Sequence, residues 1–144
     1  MHKRSRGRKF LLQCRYASQL NGEGILSSLD TLGISERIDA ETRPWITRLA
    51  ESIDFHRDEI DLAIEKSLHN WSLERLNLLT RLILEQAVAE CWFMDTPKPV
   101  SIDEALTLAR EFEGAEAVGF VNGVLDRLFF PGAAPADSSD GQAT

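Results

Sequence analysis

The distribution of prolines is the feature that most limits what this chain can fold into. The five prolines stand at positions 44, 97, 99, 131 and 135, so that the stretches 1–43 and 45–96 contain none. Apolar residues in these stretches recur at spacings of three, four or seven, as at Ile46, Leu49 and Ile53. No segment alternates strictly between apolar and polar residues with turn residues on both sides, as a half-buried strand would. The pattern predicts an all-α fold.

Turn and cap residues divide the chain into six or seven predicted helices. Ser72 is expected to cap a short helix, and Ser101 with Glu104 matches the S/T-x-x-E capping box that marks a helix start. Pro97 and Pro99 are expected to form an extended link before that start. The predicted helices cover 8–20, 25–32, 44–68 with a break or bend near Phe55–His56, 73–78, 80–94, a stretch from Ser101 to Gly114, and 115–130.

These helices are expected to form two packed sub-bundles, the second of which begins at Trp71. We predict one helical domain over residues 1–130, with a basic arm at residues 1–9. Residues 131–144 are mostly small and polar, and they are expected to be a disordered tail.

Charge is distributed unevenly along the chain. Residues 1–16 carry six basic side chains and no acidic one, whereas the remainder carries 10 basic and 23 acidic residues, which gives −13. A basic arm can bind phosphate locally on an acidic body, because charges are screened beyond about 8–10 Å at cellular salt. The basic residues of the arm are Lys3, Arg4, Arg6, Arg8 and Lys9. The arm, flexible at its start and helical at its end, is expected to order on RNA, and the alternative is a solubilising tail.

Enzyme, cofactor and membrane signatures are missing from the sequence. Cys14 and Cys91 lie far apart and do not form the closely spaced ligand set of a structural zinc site. Glu85 and Glu90 have no histidine nearby in sequence and are expected to lie on a solvated helix face. No apolar run approaches the roughly 20 residues that span a bilayer. We therefore expect a cytoplasmic protein that is not an enzyme and has no cofactor or metal.

A second candidate site lies in the segment Phe120–Asp126, which reads FVNGVLD. Val121, Val124 and Leu125 fit a buried helix face, but Phe120 and Asn122 do not share it. An aromatic ring can stack on a base while a nearby amide reads the base edge. The alternative is that Phe120 packs against a neighbouring helix and Asn122 caps a backbone group.

Four segments, in order, carry a family resemblance. The segment Phe120–Asp126 is similar to the C-terminal signature of the NusB family of transcription antitermination factors. Ile102–Phe112 resembles the preceding family helix, usually written I-N-E-A-I-x-L-A-K-x-F. The residues at 60–76 and the opening Arg6-Gly7-Arg8, Gln13 and Tyr16 resemble the middle and the start of the family. The match runs from about residue 4 to residue 130.

The resemblance implies a non-catalytic protein that binds boxA-type single-stranded RNA of ribosomal RNA transcripts jointly with the ribosomal protein NusE, within the transcription elongation complex. Arg4, Arg6, Arg8 and Lys9 would contact phosphate. Phe120 and Asn122 would lie near the RNA. Tyr16, Thr80 and Glu85 would lie toward NusE.

This chain departs from the family pattern at several positions. The family's leucine before the tyrosine is Arg15 here, and the positions usually acidic and basic toward NusE are Thr80 and Glu85. The stretch 115–119 before FVNG is one residue shorter than in many members. These departures motivate an alternative, a NusB-like interaction module with weakened RNA binding that acts through protein contacts or homodimerisation. A third reading, a detached relative of the NusB-like domain of ribosomal RNA methyltransferases, has no methyltransferase domain after Asp126.

Overall fold

A computed structural model describes residues 2–69 and 72–132 of the chain. These residues form α1 (Lys3–Asn21), α2 (Ile25–Thr31), α3 (Ile34–Arg37), α4 (Arg43–Phe55), α5 (Arg57–Lys66), α6 (Leu78–Phe93), α7 (Lys98–Phe112) and α8 (Ala115–Phe129). One 3₁₀ turn, Leu73–Arg75, precedes α6, and the described residues contain no strand. The predicted all-α fold is confirmed. Asn70, Trp71 and the predicted tail from residue 133 onward lie outside the described residues.

The basic arm is the first difference from the prediction. Helix α1 begins at Lys3 rather than at Arg8, so residues 3–9 form its first turns. Arginine and lysine are good helix formers, and side chains of these turns also bond to distant helices. The predicted break at Phe55–His56 is confirmed, because α4 ends at Phe55 and α5 begins at Arg57.

The predicted capping box at Ser101 and Glu104 is wrong. Helix α7 begins at Lys98, with a proline in its first turn, where a missing N–H costs little. Pro97 is therefore the residue before the helix, and Pro99 belongs to the helix rather than to a link. Ser101 is buried within it, and Glu104 accepts hydrogen bonds from the Ser5 hydroxyl at 3.0 and 3.1 Å.

The predicted helix over 73–78 is also wrong. Only the 3₁₀ turn forms there, and the side chain of Ser72 makes no capping hydrogen bond to it. The cap lies further along, where Asn77 Oδ1 accepts a hydrogen bond from the Leu79 amide at 2.9 Å. Helix α6 therefore begins at Leu78.

Helix α6 lies at the centre of the fold. It packs against α1, α4 and α5 on one side and against α7 and α8 on the other, which agrees with the two predicted sub-bundles. Its buried residues include Leu82, Ile83 and Val88. Glu85 and Glu90, which were expected on a solvated face, are also buried on this helix. The prediction is wrong for both because their cationic partners stand on helices that are distant in sequence.

Gly7 lies where α1 packs tightly against α4. A Cβ atom on residue 7 would lie 2.6 Å from Ile46 Cδ1, and Ile46 is fully buried. Overpacking of this kind costs about 1–3 kcal/mol, while alanine in a helix gains about 1 kcal/mol over glycine. We expect Gly7→Ala to lower the free energy of unfolding, measured by urea denaturation. Gly119→Ala in α8 is the control: a Cβ there meets nothing within 4 Å, so it should stabilise. Equal stabilisation by both would contradict the close approach.

Candidate nucleic-acid interface

An open cavity of about 790 Å³ lies at the N-terminal end of α1. The side of this cavity that α1 forms is basic, with Lys3, Arg4 and Arg6. Glu41, before α4, and Glu104, on α7, also line the cavity. The arm is therefore a fixed helical wall of a concave surface, not a free extension from the domain.

Trp45 organises the arginines of this wall. Its ring is buried, with the Arg4 guanidinium 4.6 Å from the ring centroid and the Arg8 guanidinium at 5.1 Å. Cations within about 6 Å of an aromatic centroid are attracted to its face. Trp45 thus orients Arg4, and the sequence analysis missed it. The sequence feature that could have pointed to Trp45 is its position directly after Pro44, in the first turn of α4.

Arg8 is the one predicted RNA contact that lies in the interior. Its Nε donates to Glu90 Oε1 at 2.8 Å, its Nη2 forms an ion pair with the same carboxylate, and its Nη1 lies 3.4 Å from Glu104 Oε1. The Thr96 hydroxyl donates to Glu90 at 2.9 Å. Because a buried ion pair needs its hydrogen bonds satisfied, Arg8 holds α1 against α6 and α7 and is not available to phosphate.

The other basic residues of the arm reach the surface. Lys3 Nζ lies 3.0 Å from Glu41, and Lys9 Nζ lies 2.5 Å from Glu111, in ion pairs that are exposed or half-exposed. No carboxylate of the described residues forms an ion pair with Arg4 or Arg6. The charge available at the cavity is therefore mainly that of these two arginines.

Phe120 and Asn122 lie on α8, apart from the arm. Phe120 is half-buried against the core and Asn122 is exposed. No hydrogen bond or ion pair between described residues joins either of them to α1. The arm approaches this part of the fold through Lys9, which pairs with Glu111 and lies 6.0 Å from the Phe112 ring centroid, just before the turn into α8.

The three residues expected toward NusE do not share one surface. Tyr16 is 37% exposed on α1, whereas Thr80 and Glu85 are buried on α6. Glu85 is instead the centre of a charged cluster between the helices. Arg15 Nη2 donates to Glu85 Oε1 at 2.6 Å, and Arg15 Nη1 donates to the Leu82 carbonyl at 2.6 Å. Arg15 and Glu85 are thus partners in one buried ion pair.

Three further groups complete this cluster. Arg81 Nε lies 3.3 Å from Glu85 and its Nη2 lies 3.1 Å from Asp61, while Arg57 Nη1 lies 3.7 Å from Glu85. Burial alone would raise the pKa of Glu85, but the hydrogen bond from Asp61 and the charges of Arg15 and Arg57 lower it. Burial, followed by the hydrogen bond with Glu85, raises the pKa of Asp61 to about 7. The raised pKa leaves Asp61 partly protonated near neutral pH, beside a Glu85 whose pKa is lowered.

The raised pKa of Asp61 predicts a pH-dependent stability. The folded protein holds this proton up to about pH 7, whereas an unfolded aspartate loses it near 3.8, so stability falls as the pH rises between those values. Arg81 lies 3.1 Å from Asp61 and limits the loss, while Arg15 and Arg57 face the neighbouring Glu85. We expect the stability of Asp61→Asn, measured relative to the native chain by urea denaturation, to be higher at pH 8 than at pH 5. Asp58→Asn, at an exposed position, is the control, and an equal shift in both variants would contradict the raised pKa of Asp61.

Comparison with known proteins bears directly on this architecture. A family model described as the NusB family matches residues 5–129. The chain belongs to the NusB family. The transcription antitermination protein NusB of Myxococcus xanthus is 35% identical over 126 residues, which cover 87% of this chain and 90% of that protein. The protein of the same name from Clostridium botulinum is 30% identical over 138 residues, which cover 87% and 98%.

Solved NusB structures share the fold. T. maritima NusB superposes with a TM-score of 0.81 at 29% identity, covering 87% of this chain and 89% of that one. A NusB chain in a complex of NusB and NusE with dsRNA gives a TM-score of 0.80 at 27% identity, covering 90% and 97%. The resemblance drawn from the motifs is confirmed.

Neither a membrane span nor a metal site is found among the described residues. None of the helices there is long and apolar enough to cross a membrane. Across the same residues, no group of three or more histidine, cysteine, aspartate or glutamate side chains could hold a metal ion.

Proposed function

We propose that the protein is an RNA-binding transcription antitermination factor that binds boxA-type RNA of ribosomal RNA transcripts together with the ribosomal protein NusE, within the transcription elongation complex. The observation that carries the proposal is the pair Arg4 and Arg6, which line an open cavity without a carboxylate partner among the described residues. Planar guanidinium groups suit bidentate phosphate contact and stack on splayed bases. A concave basic surface of this kind fits a single-stranded RNA backbone.

Lys3 and Lys9 join these arginines as secondary contacts. Exposed ion pairs such as Lys3–Glu41 are weak because water screens both charges, so phosphate can replace the carboxylate at little cost. Arg8 is left out of the contact set because its guanidinium is engaged in the interior. Phe120 and Asn122 are proposed to stack on and read a base at α8, apart from the arm.

The NusE contact is proposed at the exposed part of α1 around Tyr16. Leu20, one turn further along, is 66% exposed and extends an apolar strip there. Thr80 and Glu85 are left out because they lie beneath the surface. The similarity to a NusB chain that forms a complex with NusE and dsRNA supports both the RNA and the protein partner.

Fluorescence anisotropy with labelled boxA-type RNA tests the proposal. Binding should be tighter for this RNA than for a scrambled strand of the same length, should weaken with salt, and should tighten when NusE is added. A double-stranded RNA of matched length is the third arm. RNA binding that is unspecific and unchanged by NusE would contradict the proposal. NusE binding without RNA binding would instead favour the protein-interaction module.

A further inference from the structure

An exposed group of aromatic rings lies where the C-terminal ends of α4 and α6 meet. We call the rings of Phe55, His56, Trp92 and Phe93 the aromatic face. The His56 and Phe93 rings stack with centroids 3.8 Å apart and an interplanar angle of 11°. Phe55 meets His56 edge-on at 4.9 Å, and Trp92 meets Phe93 edge-on at 6.0 Å. Phe55 and Trp92 are exposed, and the half-buried rings of His56 and Phe93 connect them.

Two rings of this surface are largely outside the hydrophobic core. Phe55 is 84% exposed, the largest value among the exposed large hydrophobic residues, and Trp92 is 40% exposed. A single exposed apolar residue needs no explanation, but contiguous exposed rings mark interaction sites. Aromatic residues are also enriched at protein interfaces, where they supply contact area with little loss of side-chain freedom.

Acidic residues are frequent in the sequence next to the aromatic face, and one of them contacts it. Residues 51–59 contain Glu51, Asp54, Asp58 and Glu59 against a single arginine, Arg57. Glu59 Oε1 lies 2.5 Å from His56 Nδ1 while its side chain stays 60% exposed. Arg57 is already engaged, since its Nη2 lies 2.8 Å from Asp54. Asp95, just beyond Phe93, is exposed as well. The side chains next to the aromatic face, which we call the rim, are thus mainly acidic. The one arginine among them, Arg57, is already paired with a carboxylate.

We propose that the aromatic face docks a basic segment of a partner protein, in which lysine or arginine side chains are interleaved with aliphatic ones. Lysine and arginine gain both cation–π contact with the rings and ion pairs with the rim, while aliphatic side chains cover Phe55 and Trp92. RNA would also stack on aromatic rings, but its phosphates would meet the carboxylates at close range, and anionic membrane headgroups would meet the same repulsion. This surface differs from the basic cavity, which none of its rings lines.

A peptide titration tests the proposal on the full chain. The probe is a fluorescein-labelled amphipathic peptide of lysine and leucine, and its matched control carries glutamate in place of lysine. We expect the lysine peptide alone to bind, and NMR amide shifts to change at residues 51–59 and 92–95. Phe55→Ser should lower its affinity about tenfold or more, as for an interface hot spot. Phe55 is exposed, so the variant should fold normally.

Two further variants separate the alternatives. Glu59→Lys removes no apolar surface and should also weaken binding, whereas Leu62→Ser, at an exposed position on α5, should change it by less than about twofold. The proposal is overturned if the lysine peptide does not bind, if Phe55→Ser leaves its affinity unchanged, or if the glutamate peptide binds as tightly. If the native chain self-associates and Phe55→Ser abolishes this, the proposal is also overturned, because the aromatic face would then bind a second copy of the chain. RNA titrations of Phe55→Ser should match the native protein, so failure here is distinguishable from failure of the RNA proposal.

Discussion

Replacing Arg15 by methionine should lower the free energy of unfolding by about 3 kcal/mol or more. The substitution leaves Glu85, which is 1% exposed, without its shortest ion pair, and it removes a hydrogen bond to the Leu82 carbonyl. Breaking a buried ion pair from one side typically costs about 3–5 kcal/mol, because an uncompensated charge remains inside. Arg81 and Arg57, at 3.3 and 3.7 Å from Glu85, place the expected loss at the lower end of that range.

The double variant Arg15→Met with Glu85→Met should recover most of this loss. Two apolar side chains of similar volume then replace the pair, which is often neutral or stabilising. Urea denaturation of both single variants and the double variant gives the coupling free energy. Arg48→Met, an exposed change on α4, is the control and should stay within about 0.5 kcal/mol of the native chain. A double variant no more stable than Arg15→Met alone would contradict the pairing.

Replacing Arg8 by methionine should destabilise the protein by a similar amount, about 3–5 kcal/mol. The Arg8 guanidinium serves the buried Glu90 and the partly buried Glu104, which stand on α6 and α7. Its loss therefore leaves the Glu90 carboxylate without its arginine partner, and it also loosens the first two turns of α1. Hydrogen exchange should show faster exchange at residues 6–10 than in the native chain.

Arg4→Met is the matched control for Arg8→Met, because it removes the same charge from the same helix at an exposed position. Its effect on urea denaturation should stay within about 1 kcal/mol, the scale of an exposed cation–π contact with Trp45. Equal destabilisation by the two variants would contradict the division of the arm into an interior and a surface arginine.

The contrast between Arg4 and Arg8 could not be predicted from the sequence. Helical periodicity predicted most of the helices, because apolar spacing is a local property. Which arginine of a basic run turns inward depends on Glu90 and Glu104, and Glu90 lies 82 residues along the chain from Arg8. No local pattern carries that information. The same long-range pairing explains why Glu85 was expected on the surface and lies in the interior.

Local signals also misled where two of them competed. Ser101 and Glu104 have capping-box spacing, yet α7 starts three residues earlier, with a proline in its first turn. Glu104 then faces Ser5 and Arg8, and its role is tertiary. The family motifs, by contrast, identified the fold correctly, because they combine many positions in order along the chain.

The salt dependence of RNA binding by an arm variant tests the central claim most directly. The claim is that Arg4 and Arg6 contact RNA phosphate. The variant Arg4→Ala with Arg6→Ala should bind boxA-type RNA about tenfold more weakly, with a slope of log affinity against log salt reduced by about 1.4, since each lost phosphate contact on a single strand removes about 0.7. Arg48→Ala with Arg75→Ala removes equal charge at exposed sites elsewhere and should leave the slope unchanged. Equal slopes for the arm variant and the native protein would contradict the account.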